Sequence, residues 1–285
     1  MLCLTAPCRR GSQLRGLLNL KHQELNNYFE TAFKKYCENT PSVLKINQFL
    51  TNAGEEIIND HIALRTFKTK GLSALEMGEF FTAQGYEQKG EYDFPQKKLK
   101  AYHFEKKGYP KVFISELLLD KMNERTKNIL ETLLSTIPEK TSISELFKLE
   151  KTWKISFEDY EYLSSQTEYG AWLAAWGFRP NHFTILVNKL NHYSNLEKLN
   201  EFLKEKGFLL NQSGGEIKGS SEQLLQQSSI MADRSMVEFK DGIKEVPSCY
   251  YEFAERFFKE DGQLYEGFIA ASADKIFEST NELGK

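Results

Sequence analysis

Two of the five histidines and one glutamate share a setting that suits chemistry. His61 lies in NDHIALRTF, His182 in PNHFTILVN and Glu252 in CYYEF, each a short string of strand character. Two imidazoles and one carboxylate brought together from different strands form the 2-His-1-carboxylate set, which holds a divalent ion on one face and leaves the other positions open. Fe, Mn, Co and Zn all accept these donors. Arg65 follows His61 by four positions, about 13 Å along a strand at ~3.3 Å per residue, and the small Ala63 between them leaves the path open. A guanidinium facing an interior needs an anion, and its fork suits a carboxylate. That anion is either a buried acid of the protein or an acidic substrate whose other end touches the metal. In LLQQSSIMAD alternate residues share a face, and Gln226 with Ser228 is the pair assigned inward to orient a substrate; an edge strand with solvated side chains is the alternative.

A single histidine on a strand is more often a core residue than a ligand. What raises His61 and His182 above that expectation is repetition within the chain. Each strand is followed by a helical segment, LSALEMGEFFTAQ or SNLEKLNEFLKEK, and then by Gly85-Tyr86 or Gly207-Phe208. The spacing is 24 positions from His61 to Gly85 and 25 from His182 to Gly207. A glycine after each helix fits a C-terminal cap, and the aromatic opens the next strand. Further strands follow: 99–105 and 111–117 in the first copy; 223–232, 235–239 and 249–253 in the second. Each copy reads as βαβββ, and its last strand carries an acid, Glu116 or Glu252. Glu116 is accordingly a fourth ligand, an acceptor for a histidine N–H, or a plain surface acid. His22, His103 and His192 lack matched partners and carry no functional assignment.

The predicted fold class is α+β. Two modules, residues 55–117 and 179–254, form one curved sheet or partial barrel around a shared interior. A helical lead-in begins at residue 21, a helical insertion spans 118–178 and a C-terminal segment spans 255–285, all in a single catalytic domain. Residues 1–20 read as a targeting or disordered segment, with Arg9, Arg10 and Arg15 and no acid before Glu24.

Composition excludes several classes. Hydrophobic residues at 40% and 21 Phe argue for a packed core rather than a disordered chain. Thirty-seven basic against 40 acidic residues give a net charge of −3, so no general attraction to nucleic acid is expected. No apolar run approaches the ~20 residues of a bilayer-spanning helix, so no membrane partner is expected. Four cysteines, with no CxxC pair, outline neither a zinc cage nor a disulfide framework. They suit a reducing compartment, the cytoplasm, with an organelle as the alternative that the N-terminus suggests. Walker, GxSxG and HExxH motifs are absent.

The strings DHIALRTF, NHFTILVN, LLQQSSIMAD, YYEFAER and GFIAASADKIFEST, in this order over residues 25–281, resemble the 2-oxoadipate dioxygenase/decarboxylase family, also called 2-hydroxyglutarate synthases. The resemblance implies a vicinal-oxygen-chelate (glyoxalase-like) fold with extra helices. It implies Fe(II) held by His61, His182 and Glu252, and a substrate carboxylate gripped by Arg65. The family reaction takes 2-oxoadipate and O2 to 2-hydroxyglutarate and CO2 in lysine breakdown. Longer members carry a larger insertion, and part of their pocket comes from backbone near the C-terminus. That stretch falls here at 267–270, which makes Phe268, Ile269 and Ala270 candidate substrate contacts. Another divalent-metal lyase or isomerase of the same fold, or a non-catalytic binder of acidic small molecules, remains the alternative.

Overall fold

The computed structural model describes residues 10–280, with side chains from residue 23. The expected leader therefore lies outside the described residues over 1–9, and residues 10–20 run as the first turns of helix α1 (Arg10–Glu38). Helix α2 (Pro41–Asn52) starts on a proline, which the first helical turn tolerates because its missing N–H has no partner there. No helix among the described residues is long and apolar enough to cross a membrane.

The first module is β1 (Asn59–Phe67), α3 (Ala74–Ala83), β2 (Glu87–Phe94), β3 (Leu99–Glu105) and β4 (Lys111–Leu117). A capping box between Ser73 and Glu76 starts α3. The insertion follows as α4 (Glu124–Leu134), α5 (Ile143–Leu149), α6 (Phe157–Gln166) and α7 (Glu168–Trp176), which is buried from Tyr169 onward. The second module is β5 (Pro180–Leu186), α8 (Leu196–Glu205), β6 (Lys218–Ser220), β7 (Leu225–Ser229) and, after a hairpin, β10 (Tyr250–Arg256). Helix α9 (Ala270–Ile276) and a 3₁₀ turn, Phe277–Thr280, complete the described chain. Gly85 and Gly207, matched in sequence, both take positive φ (+92° and +85°) just past their helices, where a Cβ would be strained.

The eight main strands form one sheet in the order β2-β3-β4-β1-β5-β10-β7-β6. β1 and β5 pair antiparallel at its centre, and each pairs in parallel with the last strand of its own module, β4 or β10. This arrangement is a pseudo-two-fold, as the duplication predicts. One expectation fails. Residues 235–239 do not join the sheet; β8 (Arg234–Phe239) pairs only with β9 (Gly242–Pro247) in a separate hairpin. Glu238, Lys240 and Asp241 surround its turn, and Met236 and Ile243 stay exposed, so the hairpin lacks the two apolar faces that insertion into a covered sheet needs.

One face of the sheet is covered by α1, α2, α3 and α8, with Phe183 of β5 against Phe33 and Tyr36 of α1 and Tyr251 of β10 bonded to Asn47 of α2. The other face curves inward. Strand alternation brings His61, Ala63 and Arg65 of β1 to it together with His182 and Thr184 of β5, Glu252 of β10, and Phe113 and Ser115 of β4.

Candidate metal centre

Two β-bulges shape the centre. Between β1 and β5 the register slips at Asp60 and again at Asn181, so each strand carries one unpaired residue immediately before its histidine. On a regular strand, neighbours point to opposite faces. The bulges let Asp60 accept from His61 Nδ1 at 2.8 Å and Asn181 Oδ1 accept from His182 Nδ1 at 3.1 Å. With Nδ1 committed, each ring offers the lone pair of Nε2 to the interior. Thr184 donates its hydroxyl to His61 Nε2 at 3.1 Å.

Glu252 completes the group. Its Oε2 lies 3.1 Å from His182 Nε2 and its Oε1 3.5 Å from His61 Nε2. One ligand atom from each of the three residues lies within 4.8 Å of the other two. All three side chains are buried, and Glu252 Oε2 has no hydrogen-bond donor in the protein. A sealed carboxylate oxygen without a donor, facing two aimed imidazole nitrogens, fits a divalent cation. Burial holds both histidines below their ordinary pKa; for His182 the charges of His61 and Arg65 add to it, and for His61 burial outweighs the pull of Asp60. Neutral imidazole is the form that binds a metal. Burial also pushes Glu252 up to about 8, although Gln227 donates to its Oε1 at 2.6 Å and works against that rise.

Behind His61, Asp60 is clamped by Arg256, whose Nε donates to Oδ1 at 2.6 Å and Nη2 to Oδ2 at 2.8 Å. Burial alone would raise the Asp60 carboxyl, but the Arg256 charge and both its hydrogen bonds, with help from His61 and Lys111, hold it well below the usual range. The third guanidinium nitrogen, Nη1, reaches the backbone carbonyls of Tyr265 and Gly267. A single side chain thus links the residue that orients His61 to the segment carrying Phe268, whose ring stands edge-on to His61 at 4.8 Å. Phe113, Ala273, Ile276 and Phe277 close the rest, leaving about 20 Å³, room for one water.

Arg65 is buried at the α7 end of the same face. Its Nη1 donates to Glu168 at 3.1 Å and its Nη2 to Thr280 at 3.2 Å, while Tyr169, Trp172 and Phe277 surround the guanidinium. Nε is buried without a partner. Of the two anions foreseen for this arginine, the structure shows the protein's own acid, Glu168.

A family profile described as 2-oxoadipate dioxygenase/decarboxylase matches residues 21–143 and 134–263. The chain belongs to the 2-oxoadipate dioxygenase/decarboxylase family. A rice member named as the chloroplastic/amyloplastic enzyme is 35% identical over 289 residues, covering 90% of this chain and 79% of its own. The crystal structure of rice hydroxyglutarate synthase in complex with 2-oxoadipate superposes with a TM-score of 0.85 at 30% identity, covering 99% of this chain and 98% of that one. A glyoxalase-superfamily protein from Ralstonia eutropha JMP134 matches in fold, with a TM-score of 0.69 at 20% identity over 88% of this chain and 87% of its own.

Within this family fold, the placements expected from sequence for three residues, Glu116, Gln226 and Ser228, are corrected. Glu116 does not face the interior. It accepts from the backbone N of Ala74 at 2.8 Å, at the start of α3 on the opposite face of the sheet. Its true counterpart is Glu255, which accepts from Leu196 N at 2.9 Å at the start of α8. Because His61 is level with Lys111 and His182 with Tyr250, the position matching Glu252 is Phe113. Gln226 and Ser228 also point outward; Ser228 donates to Asn200 of α8, and Gln226 is level with Glu255. The inward pair is Gln227 and Ser229, fixed by the pairing of Ser229 with Glu252. Of the residues 268–270, Phe268 lines the cavity, while Ile269 and Ala270 are half-buried at the start of α9. Asp60, Asn181 and Arg256 escaped notice in the sequence, although a polar residue directly before each matched histidine was a visible signal.

Proposed function

We propose that this protein is an Fe(II)-dependent enzyme that converts 2-oxoadipate and O2 into 2-hydroxyglutarate and CO2, a step in lysine breakdown. The observation that carries this reading is the convergence of His61, His182 and Glu252, with their ligand atoms within 4.8 Å, in a chain of this family. When bound there, the ferrous ion supplies a Lewis acid and a centre for oxygen chemistry.

The protein's own residues supply the rest. His61, His182 and Glu252 would hold the ion, three donors that leave room for substrate. Asp60 and Asn181 fix the two rings, and Gln227 fixes the carboxylate, so the site is formed before anything binds. Arg65 receives the carboxylate at the far end of the substrate. Phe113, Phe268 and Phe277 exclude water from the reacting end. The remaining space of about 20 Å³ is too small for a six-carbon diacid, and its wall outside the sheet is made by Phe268, Ala273, Ile276 and Phe277.

Protein purified without oxygen, analysed for metal and supplied with a panel of 2-oxo acids of increasing length, tests the reading. The expected result is bound iron and O2-dependent CO2 release, greatest with 2-oxoadipate. Turnover of 2-oxoadipate without O2 overturns it in favour of a metal lyase or isomerase. For location, the plastid address in the rice relative's name favours the organellar alternative, which import of the tagged full chain into isolated organelles tests.

A further inference from the structure

Tyr250 stands two residues before Glu252 in β10, so both side chains leave the same face of the strand. The register sets its level. Tyr250 lies opposite His182, His182 lies opposite Ala63, and Arg65 is the next inward residue along β1. A molecule reaching from the three ligand residues to Arg65 therefore passes Tyr250. Its ring stacks on the His182 imidazole, with centroids 4.6 Å apart and planes inclined by 30°.

The hydroxyl of Tyr250 is buried and has no hydrogen-bond partner. Three other buried tyrosines around this sheet each give theirs to a protein oxygen: Tyr36 to the Tyr250 carbonyl, Tyr169 to Ser115 and Tyr251 to Asn47. An unpaired phenol in such an interior is destabilising, and a ligand that accepts its hydrogen bond removes that cost. A tyrosine hydroxyl carries its proton near neutrality and so stands ready to donate. Arg65 Nε is a second open donor in the same region. Glu168, which now occupies Nη1, has a side chain 27% exposed beside a hollow of about 290 Å³ and so has room to withdraw.

We propose that the Tyr250 hydroxyl is a substrate-binding donor that, together with Arg65, holds the far carboxylate of a 2-oxo dicarboxylic acid and so selects diacids over monoacids. This inference rests on the reading of the site given under Proposed function and adds the group that decides between substrates of equal length.

The test compares wild type with Tyr250→Phe, both iron-loaded and kept anaerobic, binding 2-oxoadipate and 2-oxohexanoate; the second acid has the same carbon chain but no far carboxylate. Loss of one hydrogen bond to a charged group predicts that the variant binds 2-oxoadipate about 10- to 100-fold more weakly. Its 2-oxohexanoate binding stays within about twofold of wild type. Its iron content is unchanged and its melting temperature does not fall, because the hydroxyl removed has no partner in the protein. Unchanged 2-oxoadipate affinity, an equal loss for both acids, or a lowered melting temperature each overturns the proposal. Wild type that fails to prefer 2-oxoadipate defeats the parent reading as well, whereas a variant as selective as wild type defeats only the role of Tyr250.

Discussion

Replacing Asp60 by Asn separates what this residue does for the fold from what it does for the ion. Both Asp60 and Arg256 have fully buried side chains, joined by two hydrogen bonds of 2.6 and 2.8 Å. Asparagine keeps one acceptor oxygen and puts an amide N–H where Arg256 or His61 is already donating. An unpaired buried guanidinium costs about 3–5 kcal/mol. For a chain of 285 residues, at about 2 °C per kcal/mol, the melting temperature should fall by about 6–10 °C. Freed from its acceptor, the His61 ring loses its fixed tautomer, and metal affinity should fall about 10- to 100-fold. The double variant Asp60→Asn/Arg256→Met removes the stranded charge. It should recover part of the melting temperature, less the two strap contacts of Arg256, and none of the affinity. The sign of the pH dependence is also set. Asp60 is held below its unfolded pKa, so its stabilisation is complete above about pH 5 and is lost as pH falls through the folded value. The deficit of Asp60→Asn should therefore be constant near neutrality and shrink in acid. Calorimetric melting of the metal-free protein and competition with a chelator measure the two effects. Unchanged melting refutes the buried-pair argument, and unchanged affinity refutes the orienting role.

Arg65→Lys should lower kcat/KM for 2-oxoadipate by at least about tenfold with iron content intact, because an ammonium cannot reproduce a two-pronged grip; kinetics near wild type would sink the assignment. Glu116→Ala should leave metal content unchanged and cost about 1 kcal/mol through the orphaned Ala74 N–H, so loss of metal in that variant would restore Glu116 to the centre. Since burial pushes Glu252 up to about 8, metal uptake at pH 7 should release close to one proton, and apparent affinity should rise with pH up to about 8 and then level. Titration calorimetry in two buffers of different ionisation enthalpy reads this, and heats that do not depend on the buffer would contradict it.

The duplicated framework was legible because each copy carries its own punctuation: a histidine strand, a helix of similar length, and a glycine with positive φ after it. His61 and His182 were singled out by that framework, and the structure brings them together with Glu252. The misplaced side chains share one physical origin, since periodicity shows which residues alternate but not where two strands line up. Each copy ends in a strand bearing an acid, and only the pairing of His61 with Lys111 and His182 with Tyr250 reveals that Glu116 matches Glu255. The same one-residue ambiguity put Gln226 and Ser228 inward in place of Gln227 and Ser229. The β8–β9 hairpin has adequate strand alternation and is set apart by its one exposed face, a property of tertiary packing.

The extra residues at Asp60 and Asn181 make the seam between the two halves intolerant of changes in length. β1 and β5 are each other's partners, so losing one residue upstream of either histidine would slide a strand by a single step, turn an imidazole outward and displace its orienting neighbour at once. Loops elsewhere can lengthen or shorten in descendants of this chain, but insertions and deletions between the first strand residue and the histidine should be purged in both halves. Change there is expected by substitution, as the two halves already show with Asp60 in one and Asn181 in the other.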